Sequence, residues 1–161
     1  MTEATSAAAA ERSEAEERLR AEFPVVVEWP VAWADMDYFR HANHAVFFTW
    51  FEGARIAYLD RIGFRELADT RQVGPILAST HARYRRPVIY PDTVVVGARV
   101  VEVGGDRFTQ EYRLVSRAQG EVAAEGGGTL VSYDYAMARK TPLPAEVREA
   151  IRRLEATLDR G

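Results

Sequence analysis

The chain has 161 residues, of which 47% are hydrophobic and 28% charged, and this composition predicts one compact domain with a sizeable core. Cysteine is absent, which excludes disulfides, thiolate metal sites and a cysteine nucleophile. The formal net charge of -3 argues against broad nucleic-acid binding, and no run of about 18 apolar residues indicates a membrane span.

The first twenty residues are rich in Ala and Glu and hold almost no large apolar side chains. They lack the basic start and apolar core of a secretory signal. We therefore predict a flexible or loosely docked leader over residues 1–20 and a single domain over residues 21–161. A cytoplasmic location is the expectation, and the absence of cysteine is compatible with it.

The domain is predicted to begin with a strand near residues 25–33, which is rich in β-branched and aromatic side chains. Pro24 and Pro30 favour an edge position for this strand. The stretch 45–62 is apolar around most of a helical circumference, and such a helix is buried. Gly63 is well placed to end it.

Four further strand-like runs follow, and the segments between the last three favour turns. The runs cover residues 76–86, 93–103, 107–116 and 121–134. In the third run, Phe108, Tyr112 and Leu114 alternate with polar residues, the period of two that is typical of a half-buried antiparallel strand. We read the four runs as consecutive hairpins.

Two smaller features complete the predicted fold. Residues 126–128 are three glycines, which indicate a bulge or a close backbone approach in the last strand rather than a nucleotide loop. Residues 145–158 have apolar side chains at helical spacing and predict an amphipathic terminal helix. The fold class is therefore α+β, with an antiparallel sheet of about five strands wrapped around one long central helix.

A dense polar segment lies immediately before the central helix. It contains Asp35, Asp37, His41, Asn43 and His44. The first turn of a helix presents unpaired N–H groups and the positive end of the helix dipole, so it can polarise a carbonyl or stabilise an oxyanion. A carboxylate beside it can attack that carbonyl or activate water.

This segment resembles acyl-CoA thioesterases of the 4-hydroxybenzoyl-CoA thioesterase type, which have the hotdog fold. The family pattern Asp-x-Asp-x-x-Gly-His-x-Asn, followed by Glu-x-Ala-Arg on the helix, is matched by Asp35, Asp37, His41, Asn43, Glu52, Ala54 and Arg55. Residues 84–87 and 90–92 also resemble the family, and the order of elements agrees from about residue 23 to 150. Arg40 stands where Gly is usual, and His44 stands where a second Asn is common.

The resemblance implies hydrolysis of a thioester of coenzyme A or of acyl carrier protein, with Asp37 as nucleophile or general base. It also implies that a backbone N–H near His44 faces the thioester oxygen. The candidate catalytic residues are Asp37, His41, Asn43 and Glu52. The candidate substrate-binding residues are His44, Phe47, Trp50, Phe51, Arg85 and Arg86, with the arginines as phosphate ligands.

The resemblance further implies a homodimer or homotetramer, and no cofactor, metal, nucleic acid or membrane is expected as a partner. Simpler interpretations stay open for each residue. Asp37 can cap a helix or a turn, Asp35 and His41 can be structural, and Glu52 can pair with Arg55 or Arg86. Two other functions also stay open: a hydratase or dehydratase that uses His41 with Asp37, and a non-catalytic acyl-CoA-binding protein.

Overall fold

The computed structural model describes residues 11–158. In chain order its elements are α1 (Glu14–Glu22), β1 (Val25–Pro30), a 3-10 turn (Trp33–Asp35), α2 (His44–Arg61), α3 (Phe64–Arg71), β2 (Val73–Tyr84), β3 (Thr93–Val103), β4 (Arg107–Ser116), β5 (Glu121–Asp134), β6 (Arg139–Lys140) and α4 (Ala145–Glu155). None of the helices in this range is long and apolar enough to cross a membrane.

The strands form an antiparallel sheet in the order β1-β3-β4-β5-β2, with the two-residue β6 added beside β5. The α+β hotdog architecture is confirmed, and β1 lies at an edge as its prolines predicted. The prediction that the four strands form consecutive hairpins is wrong for the first pair. Strand β2 pairs with β5, at the edge of the sheet opposite β1, instead of with β3. Residues 85–92 connect β2 to β3 and contain two prolines, which lack the N–H that a tight hairpin uses.

Helix α2 packs its apolar side chains against the inner face of the sheet. Phe51 is fully buried, and its ring is stacked on that of Tyr112 with the centroids 5.3 Å apart. A Cβ atom on Gly126 of β5 would lie 2.6 Å from the Phe51 ring and 2.6 Å from the His81 carbonyl oxygen. The glycine run therefore allows a close approach, while the register shift between β4 and β5 occurs beyond it, near Val115.

The central helix ends at the predicted place. Gly63 follows the helix with a φ of +70°, in the left-handed region that favours glycine. Directly after it comes α3, where the sequence indicated only a short connecting segment. The predicted terminal helix is also present as α4, and its buried side chains are Val147, Ile151 and Leu154.

Helix α1 packs on the outer face of the sheet. Leu19 is fully buried, and the carboxylate of Glu16 is bound by Arg20 and Arg117 at 3.0 and 2.8 Å. Burial raises the pKa of the Glu16 carboxyl, but these hydrogen bonds outweigh it and leave the pKa below its usual value. Of the predicted leader, residues 1–10 lie outside the described residues, and residues 14–20 belong to this packed helix.

Candidate active site

A tight hairpin carries Asp37 to the start of α2. The Asp37 N–H donates to the His41 carbonyl at 2.8 Å, and the Arg40 N–H donates to the Asp37 carbonyl at 3.0 Å. Arg40 has a φ of +64°, so the residue that replaces the family's usual glycine adopts the left-handed conformation. The hairpin therefore forms with an arginine at this position.

The Asp37 carboxylate is half-buried and closes the same turn. Its Oδ1 accepts the Phe39 N–H at 2.8 Å, which is an Asx-turn bond. Its Oδ2 accepts no hydrogen bond within residues 11–158, and no cation there pairs with it. One carboxylate oxygen therefore anchors the group while the other stays available to a ligand.

Asn43 is the N-cap of α2. Its side-chain oxygen accepts the Ala45 N–H at 3.0 Å, while its carbonyl accepts the Val46 N–H at 2.9 Å. The N–H of Asn43 itself donates to the Asp35 carbonyl at 2.9 Å. The His44 N–H is left without a partner in the described part of the chain. This free donor lies at the positive end of the helix dipole.

The structure brings six of the predicted site residues together at one cleft of about 360 Å³. These are Asp37, His41, His44, Phe47, Arg85 and Arg86. Arg85 is held by Glu125, with its Nη2 2.9 Å from the carboxylate, whereas the Arg86 guanidinium has no ion pair within residues 11–158. The cleft therefore combines a carboxylate, a free helix N–H and an available cation.

Four predicted site residues lie elsewhere. Trp50 and Phe51 point into the core beneath α2, and neither lines the cleft. Asn43 serves as the helix cap, next to the cleft. The Glu52 side chain is 62% exposed, and its Oε2 lies 3.7 Å from Arg55 Nη2, which matches the structural interpretation of this residue. Asp35 is also structural here, because its Oδ2 accepts the Ala32 N–H at 2.8 Å.

Tyr84 is a cleft residue that the sequence did not assign to the site. Its hydroxyl donates to the His44 carbonyl oxygen at 3.0 Å, and its ring meets the Phe47 ring edge to face, with centroids 5.0 Å apart. Desolvation raises the pKa of the phenol, so the hydroxyl stays protonated. The available signal was its position directly before Arg85 and Arg86, in a motif from which only the two arginines were assigned to the site.

A larger groove of about 480 Å³ lies on the outer face of the sheet. Two of its three arginines are paired, since Arg99 Nη2 lies 2.8 Å from Glu111 and Arg113 Nη1 lies 2.7 Å from Glu22, whereas Arg83 has no ion pair within residues 11–158. The groove therefore offers an available cation, but no residue at the start of a helix lines it, so it lacks the free N–H donor that the cleft presents. Within residues 11–158, no group of three or more His, Asp or Glu side chains is arranged to hold a metal ion.

The left-handed backbone conformation of Arg40 should affect the stability of the protein. A non-glycine residue in the left-handed region destabilises the folded state by roughly 1–2 kcal/mol. Glycine removes this strain, but its greater backbone entropy in the unfolded state offsets part of the gain. We therefore expect Arg40→Gly to raise the free energy of unfolding by about 0.5–1 kcal/mol, as measured by urea denaturation. Arg40→Ala removes the same charge but keeps the strain, so it should give no gain. An equal gain in both variants would attribute the effect to charge instead.

The chain is similar to several known proteins. The model of the thioesterase-like superfamily matches residues 31–151. A thioesterase of Thermus thermophilus, solved with coenzyme A and zinc, is 37% identical and superposes with a TM-score of 0.74 over 84% of this chain and 96% of that one. The putative esterase sll0410 of Synechocystis is 30% identical over 115 residues, or 69% of this chain and 68% of that protein. Protein THEM6 of Danio rerio is 30% identical over 99 residues, which are 62% of this chain but about half, 49%, of that protein.

Proposed function

Since the chain belongs to the thioesterase-like superfamily and is a thioester hydrolase, we propose that it cleaves acyl-CoA thioesters with Asp37 as general base or nucleophile. One observation carries the proposal: the Asp37 carboxylate and the start of α2, with its unpartnered His44 N–H, border the same cleft. A base and an oxyanion donor are the two groups that thioester hydrolysis requires.

The chemistry follows from these two groups. The thioester oxygen accepts the His44 N–H, and the negative charge that develops on it is stabilised by the helix dipole. In the general-base route, Asp37 takes a proton from water as the water oxygen attacks the carbonyl carbon. The tetrahedral intermediate then collapses, the C–S bond breaks, and the thiolate leaves to take up a proton. In the nucleophilic route, the Asp37 carboxylate attacks the carbonyl carbon, the C–S bond breaks and the thiolate leaves to take up a proton. Water then hydrolyses the resulting anhydride, which releases the acid and restores the Asp37 carboxylate.

We assign the carrier's phosphates to the arginine side of the cleft. The Arg86 guanidinium has no ion pair in the described structure and is suited to bidentate phosphate contacts. Arg85 is held in place by its ion pair with Glu125 and would lie beside Arg86 as a second positive charge of fixed position. The coenzyme A bound to the Thermus thermophilus thioesterase supports this choice of carrier. Acyl carrier protein is the alternative carrier. The cytoplasmic location of the protein stays a prediction.

A panel of acyl-CoA thioesters of different chain length and aromaticity, with colorimetric detection of free thiol, tests this function. We expect thiol release from at least one member at a rate proportional to enzyme concentration. Hydration of an enoyl-CoA without thiol release would instead indicate a hydratase. Binding of acyl-CoA with neither reaction would indicate a binding protein. A parallel series on acyl carrier protein identifies the carrier.

We also propose a homodimer or homotetramer, on the basis of the edge strand β2. Among the described residues this strand pairs with β5 alone, and its Ile76 and Leu77 are 40% and 38% exposed. An open edge with apolar side chains is a template for a second chain. Sedimentation velocity at micromolar concentration should give at least twice the monomer mass. A monomer with full activity would exclude this assembly.

A further inference from the structure

Tyr84 connects two elements that together form the cleft. It is the last residue of β2, and its hydroxyl crosses to the carbonyl oxygen of His44, the first residue of α2, at 3.0 Å. The two residues are 40 positions apart in the chain. The bond therefore joins the first turn of the helix to the strand that leads into Arg85 and Arg86.

Most other bonds at the start of α2 come from its own loop, and one more, from the Ala42 N–H to the Val88 carbonyl at 2.8 Å, ties that loop to the segment after β2. Asn43 caps the turn from within, and the Asp35 carbonyl accepts the Asn43 N–H from the preceding segment. The Asn43 bonds hold the loop to the helix and the Ala42 bond holds the loop to the segment after β2, but neither joins a strand to the helix itself. The Tyr84 hydroxyl bonds from the end of β2 to the helix, at the same residue whose N–H has no partner within residues 11–158.

The ring and the hydroxyl of Tyr84 do separate things. The ring packs edge to face on Phe47, a contact that a phenylalanine would keep. The hydroxyl alone makes the bond to His44. A substitution that removes only the oxygen therefore tests the bond without opening a cavity.

We propose that Tyr84 is a positioning residue for the oxyanion donor: its hydroxyl holds His44 so that the His44 N–H points to the developing negative charge. This inference rests on the proposed thioester hydrolysis and deepens it by naming the group that sets the geometry of the donor. Small displacements of a preorganised donor reduce its effect mainly in the transition state, so the consequence lies in kcat.

The test compares two tyrosines whose hydroxyls each donate a hydrogen bond to a backbone carbonyl. Tyr84→Phe should lower kcat by about three- to tenfold and leave KM within about twofold, as expected for one neutral hydrogen bond that matters in the transition state. Tyr135→Phe is the matched control, because the Tyr135 hydroxyl donates to the Pro75 carbonyl at 2.6 Å, at the opposite end of β2. It should leave both constants unchanged. Thermal unfolding of both variants reports any general loss of stability.

Equal kcat values for Tyr84→Phe, Tyr135→Phe and the unmodified protein would overturn the inference. A rise in KM with unchanged kcat would also overturn it, because it would make Tyr84 a simple binding contact. Asp37→Asn in the same assay keeps the two proposals separate. If that variant is inactive while Tyr84→Phe is fully active, only the positioning role fails. If Asp37→Asn is fully active, the proposed catalytic site itself fails.

Discussion

Replacing Asp37 by asparagine is expected to lower kcat/KM for thioester hydrolysis by about 10²–10⁴-fold, the usual contribution of a positioned base. The change is nearly isosteric. The asparagine side-chain oxygen can still accept the Phe39 N–H that Asp37 Oδ1 accepts at 2.8 Å, so the hairpin should keep its shape. What is lost is the negative charge and the lone pairs of the available oxygen. Thiol release by the variant under saturating and limiting acyl-CoA measures the effect.

The neighbouring Asp35 offers a matched control for this change. Asp35→Asn makes the same chemical replacement two positions away, where the carboxylate accepts only the Ala32 N–H at 2.8 Å. We expect its activity to stay within about twofold of the unmodified protein, since an amide oxygen can accept the same bond. Comparable losses in the two variants would show that the loop, and not the Asp37 carboxylate, determines activity.

Replacing Phe51 by alanine is expected to lower the free energy of unfolding by about 3–5 kcal/mol, the usual cost of truncating a buried aromatic side chain. The ring is fully buried, is stacked on Tyr112 and lies over Gly126, where no side chain can fill the gap. At about 2–4 °C per kcal/mol for a chain of this size, the melting temperature should fall by roughly 6–20 °C. Differential scanning calorimetry measures the change.

Phe39→Ala is the control, because this phenylalanine is 75% exposed. Exposed substitutions usually change stability by less than about 0.5 kcal/mol. The comparison also tests the sequence-based prediction that Phe51 is a substrate-binding residue. If the melting temperature of Phe51→Ala is unchanged while its acyl-chain preference shifts, the side chain contacts substrate and the packed arrangement around Tyr112 is not maintained in solution.

The elements with strong periodicity were predictable from the sequence. Strand β4 alternates buried and polar residues as expected, and α2 was recognised by its length and apolar character. Helix α3 was missed because it has only eight residues and begins after Gly63, without a side-chain cap. The pairing of β2 with β5 was missed because periodicity describes one strand and contains no information about its distant neighbour.

The residues that border the cleft were predictable to the extent that they lie close together in the sequence. Asp37 and His41 belong to one short motif, so a pattern could identify them, and His44 follows that motif directly at the start of the helix. The helix side chains were harder to assign, because α2 is apolar nearly all round and its sequence does not tell which side faces the cleft. Phe47 lines it, whereas Trp50 and Phe51 lie in the core. The bond of Tyr84 to His44 required the fold itself.

The packing of α1 determines how far the chain can be shortened from its N-terminal side. The family match begins at residue 31, and the domain predicted from the sequence begins at residue 21, yet Leu19 and Glu16 are buried against the sheet. A shortened chain that starts at either boundary would uncover the apolar outer surface of β3 and β4 and deprive Arg117 of the Glu16 carboxylate. Such exposed apolar surface promotes aggregation. We therefore expect good expression only from a chain segment that includes α1 and is thus longer than the segment that the family match covers.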